Sequence, residues 1–424
     1  RDVLGSRGLG DVYKRQKLVI AVFFENTEVG KGGPMTKYRL QSLLFVFVAF
    51  MLGCNEYMIV GVLPDIAKEF HASLSSLGYT VTLFALIYAI STPIVTTLAS
   101  RFNRYHVLLV LMMIFFIGNT WTALATGFWS LMGSRVLTAT VAGAIISLVL
   151  VMANYIAPRD KRASLVSWVF AGFSIASIIG VPIGTTISTT FSWHDSFWMI
   201  TWLTILTFVM LAWLAPRDTP QVRGSLRSQF SLFRDSRVLM GVAFIVLVCA
   251  ADYTFYTYVR PLFTNMMDFD NTWLNWLLFG MGIFFMFGNK FGGYLADHRG
   301  IQSLPKIYVL MTLCLAGLAP SFQYRWLGVA LIAMLCVMVA CYGSSTQLMF
   351  LDIAEKDYPQ SLDLASSLNS IFANIGISLG SFTAAETVHY LSLGSVGYVA
   401  AVYGLLTVLV ITGLSRRYRN AYPY

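Results

Sequence analysis

Three ionisable side chains lie well inside long apolar segments of the chain, where a charge is expensive. They are Glu56, Arg135 and Asp252. A charged side chain at the centre of a bilayer costs at least ~2.5–3.5 kcal/mol, so it is kept only with a partner, with water or for a function. A carboxyl group in such a place can bind and release a proton, because desolvation raises its proton affinity and a nearby cation lowers it. We therefore expect proton transfer within a membrane.

The composition of the chain indicates that lipid is its solvent. Hydrophobic residues make up 57% of the 424 residues and charged residues only 12%, whereas a soluble globular protein carries about 25% charged residues. A single soluble core also stops growing at roughly 250–300 residues. These values exclude a soluble enzyme, a nucleic-acid-binding protein and a disordered scaffold. The net charge of +9 does not point to nucleic acid, because the basic residues are scattered between apolar segments.

Twelve apolar segments reach the length of a membrane-spanning helix, which is about 20 residues. They lie near 42–62, 77–99, 105–126, 129–153, 163–189, 194–215, 238–260, 273–296, 304–322, 326–350, 363–388 and 395–414. One long polar connection, residues 216–237, divides them into six and six. We predict an all-α integral membrane protein with twelve transmembrane helices in two six-helix bundles, residues 35–215 and 238–424. The polar, glycine-rich residues 1–34 are expected to be an upstream addition, with Met35 as the natural start.

Lysine and arginine residues are concentrated in alternate connections between the segments. Counted from Met35, eighteen lie in the connections and termini of one side and three lie on the other side. Loops rich in lysine and arginine stay in the cytoplasm. Both termini and the 216–237 linker are therefore predicted to be cytoplasmic.

The three buried ionisable residues are predicted to share one layer of the membrane. At 1.5 Å per helical residue, Glu56 and Arg135 lie about 9 Å below the outer boundary, and Asp252 lies about 12 Å below it. We interpret Glu56 as the main proton carrier and Arg135 as its electrostatic partner. The alternative is a static pair that only locks the helices together. Asp252 is interpreted as a second proton site or as a contact for a cationic substrate.

Two segments at helix ends are weakly similar to each other. Residues 96–104 follow the second apolar segment and residues 293–300 follow the eighth, 197 positions later. Internal repeats are the basis of many transporter folds, in which the substrate site lies at the repeat interface near mid-membrane. The repeat therefore favours a transporter.

Several motifs carry a family resemblance. The segment Asn55–Pro64 is similar to a first-helix signature, Arg135 with Gly143 to a fourth-helix basic motif, and Gly180–Thr185 to a fifth-helix antiporter motif. In these motifs the chain resembles the major facilitator superfamily, in particular its bacterial drug/proton-antiporter branch.

The loop motif and two further segments refine the resemblance. Residues 293–300 match the family pattern G-x-L-x-D-(R/K)-x-G except at His298, whereas residues 96–104 lack both glycines and the aspartate. The segments Gly224–Phe230 and Tyr258–Pro261 are most similar to the arabinose efflux permease group.

The resemblance implies a two-bundle carrier with a central cavity lined mainly by helices 1, 4, 7 and 10. Five polar or aromatic residues are expected to contact the substrate there: Asn55, Tyr253, Tyr256, Tyr342 and Gln347. Four charged residues near helix ends are expected to form a cytoplasmic gate: Arg101, Arg104, Asp297 and Arg299.

The antiporter motif on the fifth helix contains small residues and a proline, at Gly180, Pro182 and Gly184. Proline is tolerated in such a helix when neighbours satisfy the freed carbonyl group, and small residues let helices approach closely. We interpret the motif as a bend that helps to seal the path against leak. Ordinary close packing is the alternative.

We therefore expect a secondary active transporter of the bacterial inner membrane that exports a small molecule in exchange for protons by alternating access. The substrate would be a drug-like amphiphile, a sugar-related compound or a nucleoside. Proton-coupled uptake and a transport-inactive membrane sensor are the alternatives. No phosphate-binding loop, nucleophile elbow or metal-ligand spacing occurs, so no enzymatic activity, cofactor or metal is expected. We expect a monomer.

Overall fold

The computed structural model describes residues 34–99, 101–158, 162–219, 230–298 and 300–421. These ranges contain helices and connections, with no strand among them. Residues Gln41–Tyr424 form one compact unit. Three predictions fall largely outside the described ranges: the character of residues 1–34, the motif Gly224–Phe230 and the role of Arg299.

Long apolar runs form helices here because a helix satisfies its own backbone N–H and C=O groups, which lipid cannot do. The helices are α1 (Pro34–Glu69), α2 (Leu74–Ala99), α3 (Arg104–Ala123), α4 (Phe128–Ile156), α5 (Arg162–Ile175), α6 (Val181–Thr190), α7 (Trp193–Leu214), α8 (Ser236–Tyr256), α9 (Val259–Pro261), α10 (Asn271–His298), α11 (Leu304–Ser321), α12 (Arg325–Ala340), α13 (Tyr342–Asp357), α14 (Leu362–Tyr390) and α15 (Val396–Ala421). A π-helical turn, Ala176–Gly180, connects α5 to α6. A second π-helical turn, Leu262–Met266, follows α9.

Within the described residues, eleven helical stretches are long and apolar enough to cross a membrane. Each predicted segment coincides with helix, and eleven of them coincide with these stretches. The exception is the eighth segment, which coincides with α10 (28 residues). This helix is about 42 Å long at 1.5 Å per residue, but Asn275, Asn289 and Lys290 lower its mean hydropathy. The helix is long enough to cross a membrane, but it is not apolar enough to be counted with the eleven stretches.

Polar residues in the connections define where several helices begin. Asn103 accepts a hydrogen bond from the backbone N–H of Tyr105 (2.9 Å) and so caps α3. Asp235 accepts one from the backbone N–H of Arg237 (2.8 Å) and caps α8. Side-chain oxygens at this position satisfy N–H groups that have no partner within the helix.

Glycines set the distance between α14 and α8. A Cβ atom added to Gly376 would lie 2.5 Å from the backbone oxygen of Val246, and one added to Gly380 would lie 2.5 Å from that of Ala250. Because the obstructing atoms are backbone, the helices could not keep this distance with larger residues. Small residues at helix contacts are the usual means of close packing in membranes.

Helices α2 and α14 bring the first part of the chain against the last. The hydroxyl groups of Thr82 and Ser381 lie 2.9 Å apart, and the hydroxyl of Tyr79 donates to a carboxylate oxygen of Glu386. The hydroxyl of Tyr258 donates to the backbone oxygen at the start of α2 (2.9 Å). All of these contacts lie toward the end of the helices at which α1 ends and α2 begins.

Candidate functional site

A small cavity lies between helices from both parts of the chain. The space open to the centre of a water molecule is about 10 Å³, which is room for about one water. Its lining residues are Glu56 and Ile59 from α1, Val81, Phe84 and Ala85 from α2, Arg135 from α4, Tyr253 from α8 and Ile377 from α14. Two of the three predicted ionisable residues, Glu56 and Arg135, therefore line the same cavity.

Arg135 is fully buried and is held by neighbours on two other helices. Its Nη1 atom donates to the backbone oxygen of Asn55 (3.1 Å) and to the side-chain oxygen of the same residue (3.3 Å). The guanidinium lies 4.1 Å from the centre of the Phe84 ring, a cation–π contact of the kind that is worth more when desolvated. The position of the cation is thus fixed by α1 and α2.

A second buried amide keeps the Asn55 side chain in place. The Nδ2 group of Asn55 donates to the side-chain oxygen of Asn119. Asn119 in turn donates to the backbone oxygen of Phe115 (2.9 Å) on its own helix, α3. Asn55 and Asn119 are both fully buried, and this chain of hydrogen bonds orients Asn55 toward Arg135.

One edge of the Arg135 guanidinium has no hydrogen-bond partner. Its Nε and Nη2 atoms are both buried and unpaired. A buried donor without an acceptor costs free energy. The planar fork of arginine suits a group that offers two acceptor oxygens, such as a carboxylate. The edge is therefore able to accept the carboxylate of Glu56 or an oxygen-bearing group of a ligand.

Glu56 is half-buried and forms no direct ion pair with Arg135. No carboxylate oxygen of Glu56 lies within 4.0 Å of a guanidinium nitrogen, although the two side chains line one cavity. The two charges therefore act on each other across a short gap. The carboxyl group can gain or lose a proton without breaking a hydrogen bond to Arg135.

Asp252, the third predicted ionisable residue, lies outside the lining of this cavity. It is half-buried on α8, and no lysine, arginine or histidine of the described chain lies within 4.0 Å of its carboxylate. The next residue, Tyr253, does line the cavity. Its ring packs edge-on against that of Tyr256, with the centres 5.4 Å apart.

The amino-acid sequence of the chain matches a known protein family. Residues 45–381 match the Major Facilitator Superfamily. The chain belongs to this superfamily. It is a multi-pass membrane transporter, and the relatives that it matches are transporters rather than enzymes.

Relatives of similar length are found in bacteria. The uncharacterized MFS-type transporter YtbD of Bacillus subtilis (strain 168) is 32% identical over 386 residues, which cover 90% of this chain and 96% of that protein. The inner membrane transport protein YdhP of Escherichia coli (strain K12) is 28% identical over 351 residues, which cover 81% of this chain and 87% of that protein.

Solved structures share the fold at low sequence identity. A D-xylose–proton symporter superposes with a TM-score of 0.72 and 15% identity, covering 87% of this chain and 96% of that one. A bacterial homologue of the human lysosomal transporter Spinster, in an inward-facing and unoccupied conformation, gives a TM-score of 0.73 and 14% identity, covering 90% and 97%.

Three of the predicted substrate contacts in this superfamily member make contacts with other protein groups. Gln347 donates to the backbone oxygen of Ala365 (3.4 Å) and accepts from Asn369 (3.1 Å), so it joins α13 to α14. The hydroxyl of Tyr342 accepts from the sulfur of Cys249 (3.3 Å). Asn55 holds Arg135, as described above. Of the five predicted contacts, Tyr253 lines the cavity.

The antiporter motif of this transporter combines close packing with an irregular helix. A Cβ atom on Gly180 would lie 2.7 Å from the sulfur of Cys54, and one on Gly184 would overlap the side chain of Met58. Pro182 is the second residue of α6 and lies two residues after the end of the π-helical turn. It has no N–H to offer the backbone oxygen four residues earlier, which is consistent with irregular backbone at this point. The motif is closely packed and irregular, and its role in sealing the path against leak stays a prediction.

The predicted cytoplasmic gate is only partly described. Arg101 is exposed in the turn before α3, and Arg104 is the first residue of α3. Asp297 lies in the last turn of α10 with its side chain outside the described part, and Arg299 lies outside it altogether. The neighbouring Asn103 donates to the backbone oxygen of Arg217 (3.2 Å), a contact within the first part of the chain.

One charged pair was not predicted from the sequence. Arg260, which is one of the three basic residues predicted on the side opposite the cytoplasm, is only 6% exposed. Its Nη1 and Nη2 atoms lie 2.5 and 2.9 Å from the two carboxylate oxygens of Asp65. The positions of the two residues in the sequence could have indicated this pair. Both lie at the ends of apolar segments, next to Pro64 and Pro261, rather than within polar loops.

Proposed function

We propose that this transporter exports a small molecule in exchange for protons, with Glu56 as the proton carrier and Arg135 as its electrostatic partner. The observation that carries the proposal is the shared cavity, in which a half-buried acid faces a fully buried guanidinium with an unpaired edge. Ionised Glu56 is stabilised by the nearby cation and destabilised by poor hydration. A change in the hydration of the cavity between its two access states shifts that balance and drives proton loading and release.

The direction of coupling depends on whether the substrate binds more tightly when Glu56 is ionised or when it is protonated. Antiport requires a substrate that binds more tightly when Glu56 is ionised, so that substrate binding expels the proton. A ligand that donates hydrogen bonds to the carboxylate, or carries a positive charge, meets this condition. A ligand that only accepts from Arg135 favours protonated Glu56 and would produce proton-coupled uptake instead. Uptake is the second candidate function because the free edge of Arg135 is available to such a ligand.

We propose a sugar-related compound or a nucleoside as the substrate, with a drug-like amphiphile as the alternative. The neighbours of similar fold include a D-xylose–proton symporter and the nucleoside transporter NupG. The proposed branch remains that of the drug/proton antiporters, most similar to the arabinose efflux permease group.

We propose twelve transmembrane helices in a six-plus-six arrangement, in a monomer of the inner membrane with both termini in the cytoplasm. The length of α10 and the 197-residue offset between the two loop segments support the number and the repeat. The excess of eighteen basic residues over three supports the orientation, and the relative YdhP is an inner membrane protein. Arg101, Arg104, Asp297 and Arg299 are proposed to close the cytoplasmic side.

The test is proton flux in liposomes that contain the purified protein and a pH-sensitive dye. Sugars, nucleosides and cationic drugs are added in turn, and wild type is compared with Glu56→Gln. We expect a substrate to release protons from the wild-type protein and the flux to be lost in Glu56→Gln. Glu355→Gln, which changes an exposed acid on α13, serves as the matched control and should behave as wild type. Coupled flux that survives in Glu56→Gln at normal protein content would refute the proposal.

The same liposomes separate export from uptake. When the affinity for the active compound rises with pH, substrate and proton exclude each other, which is the behaviour of an antiporter. When it falls with pH, they bind together, which is the behaviour of a symporter. Accumulation or extrusion of labelled substrate under an imposed pH gradient gives an independent reading of the same property.

A further inference from the structure

A partly buried ion-pair cluster connects three helices at the end of the molecule where α1 ends. The two terminal guanidinium nitrogens of Arg260 pair with Asp65 (2.5 and 2.9 Å), and Nη1 also donates to the backbone oxygen of Gly61 (2.7 Å). Ser188 on α6 donates to the same carboxylate (2.5 Å). We name Asp65, Ser188 and Arg260 the terminal clamp.

The terminal clamp joins the two parts of the chain that move relative to each other in a two-bundle carrier. Asp65 and Ser188 belong to the part before the long connection, and Arg260 belongs to the part after it. By contrast, the pairs of Arg237 with Asp235 and with Asp357 involve only the end of the long connection and the second part. Separation of the two parts at this end requires the Asp65–Arg260 pair to break.

The helices that carry the clamp also carry the walls of the cavity. Asp65 lies nine residues beyond Glu56 on α1, about 14 Å along the helix. Arg260 lies seven residues beyond Tyr253, just after α8. A closed clamp therefore holds the α1 and α8 walls of the cavity together at this end. When it opens, the cavity gains a path to the solution on that side.

The chemistry of the clamp suits a reversible closure. Arg260 is buried and Asp65 is partly buried, and removing ions from water costs much of what their attraction provides, so the closed pair and the separated, hydrated ions differ little in free energy. An apolar seal of similar size would favour the closed state more strongly, because opening it would expose apolar surface to water. Ser188 and the Gly61 carbonyl add hydrogen bonds that exist only in the closed geometry.

We infer that Asp65, Arg260 and Ser188 form a gate of the transport cycle and that this structure has the gate closed. The inference is independent of which residue carries the proton. It predicts that loss of the clamp shifts the protein toward a state open at this end, in the absence of substrate and of a pH gradient.

The test is double electron–electron resonance between spin labels at Thr126 and Gln323. Both residues are exposed in connections at the same end as the clamp, one in each part of the chain. The five native cysteines, all buried, are replaced by alanine in the labelled background. We expect Asp65→Asn and Arg260→Gln to raise the fraction of long distances at least threefold over the unsubstituted clamp. Ser188→Ala should raise it less.

Two further variants make the result decisive. Glu69→Gln removes an acid one turn after Asp65 whose partners, His194 and Trp193, are in the same part of the chain, so it should leave the distances unchanged. The charge-swapped Asp65→Arg, Arg260→Asp variant should return them toward the starting distribution.

The gate is refuted when Asp65→Asn gives the same distances as Glu69→Gln. If Asp65→Asn does not fold, unchanged distances in Ser188→Ala and no recovery in the swap refute it equally. Since Glu56→Gln keeps the clamp, failure of proton coupling and failure of the gate are read separately.

Discussion

The Nη1 atom of Arg135 lies 3.1 Å from the backbone oxygen of Asn55, the residue that directly precedes Glu56. The cation is therefore attached to the backbone of α1 and not to the carboxyl group that it influences. The guanidinium can keep this backbone hydrogen bond whether or not the carboxyl group carries a proton. An arginine held only by the ionised acid would lose its partner when the acid became neutral.

Arg135→Lys is expected to reduce substrate-driven proton flux by about tenfold or more, since a charge-assisted hydrogen bond is worth roughly 1.5–3 kcal/mol and each 1.4 kcal/mol is tenfold. Lysine keeps the charge, but it lacks the planar fork that contacts Asn55 and stacks on Phe84. The initial rate of flux in liposomes measures this. Asn55→Ala should reduce the rate in the same direction, because it removes the side-chain contact and leaves the backbone contact. A wild-type rate in Arg135→Lys would show that charge alone is sufficient.

The helical framework could be predicted from composition, whereas the partners of individual residues could not. Apolar runs of this length have few alternatives to helix in lipid, so the segment boundaries predicted from the sequence fall close to the observed ones. The α10 segment was predicted as a span from its aromatic and aliphatic residues, and its asparagines and Lys290 place it below the other eleven.

Some residues of the site can be predicted from the sequence, but their partners on other helices cannot. Glu56 and Arg135 stood out because each is an ion in an apolar run, and they do line one cavity. The hydrogen bond between the Asn55 amide and Arg135 on another helix has no signal in the sequence, and the substrate contact of Asn55 stays a prediction. Arg260 was assigned to a loop because it ends an apolar segment. Its burial depends on Asp65, which is 195 positions away.

Gly380→Ala is expected to destabilise the protein by about 1–3 kcal/mol, the usual cost of overpacking. The added Cβ would lie 2.5 Å from the backbone oxygen of Ala250, so α14 and α8 would have to separate. Gly343→Ala is the matched control, because its Cβ would meet nothing within 4 Å. It should be neutral or stabilising by up to about 1 kcal/mol through helix propensity. Thermal unfolding in detergent measures both, and equal Tm values would contradict the packing described here.

Asp252→Asn is expected to leave proton flux with an uncharged substrate within about twofold of wild type, since groups without shared contacts act independently. Asp252 does not line the cavity of Glu56 and Arg135. A cationic substrate should lose affinity in this variant if the carboxylate contacts it. The measurements are flux in liposomes and ligand binding in detergent. A halved number of protons per substrate in Asp252→Asn would instead identify a second proton site.

Asp235→Asn is expected to lower Tm at neutral pH, with the difference from wild type disappearing in acid. Burial acts to raise the pKa of the Asp235 carboxyl, but the hydrogen bonds and charge of Arg237 outweigh this and hold its pKa below the ordinary value. A carboxyl group whose pKa is lowered by folding stabilises the folded state above its unfolded pKa, and the stabilisation is lost as the pH falls through its folded pKa. Asparagine keeps the capping interaction at the start of α8, so the variant removes the charge and one of the two oxygens that accept from Arg237. Thermal unfolding of both proteins at several values between neutral and acid pH tests this. A Tm difference that stays constant over the whole range would show that the charge of Asp235 is not the cause.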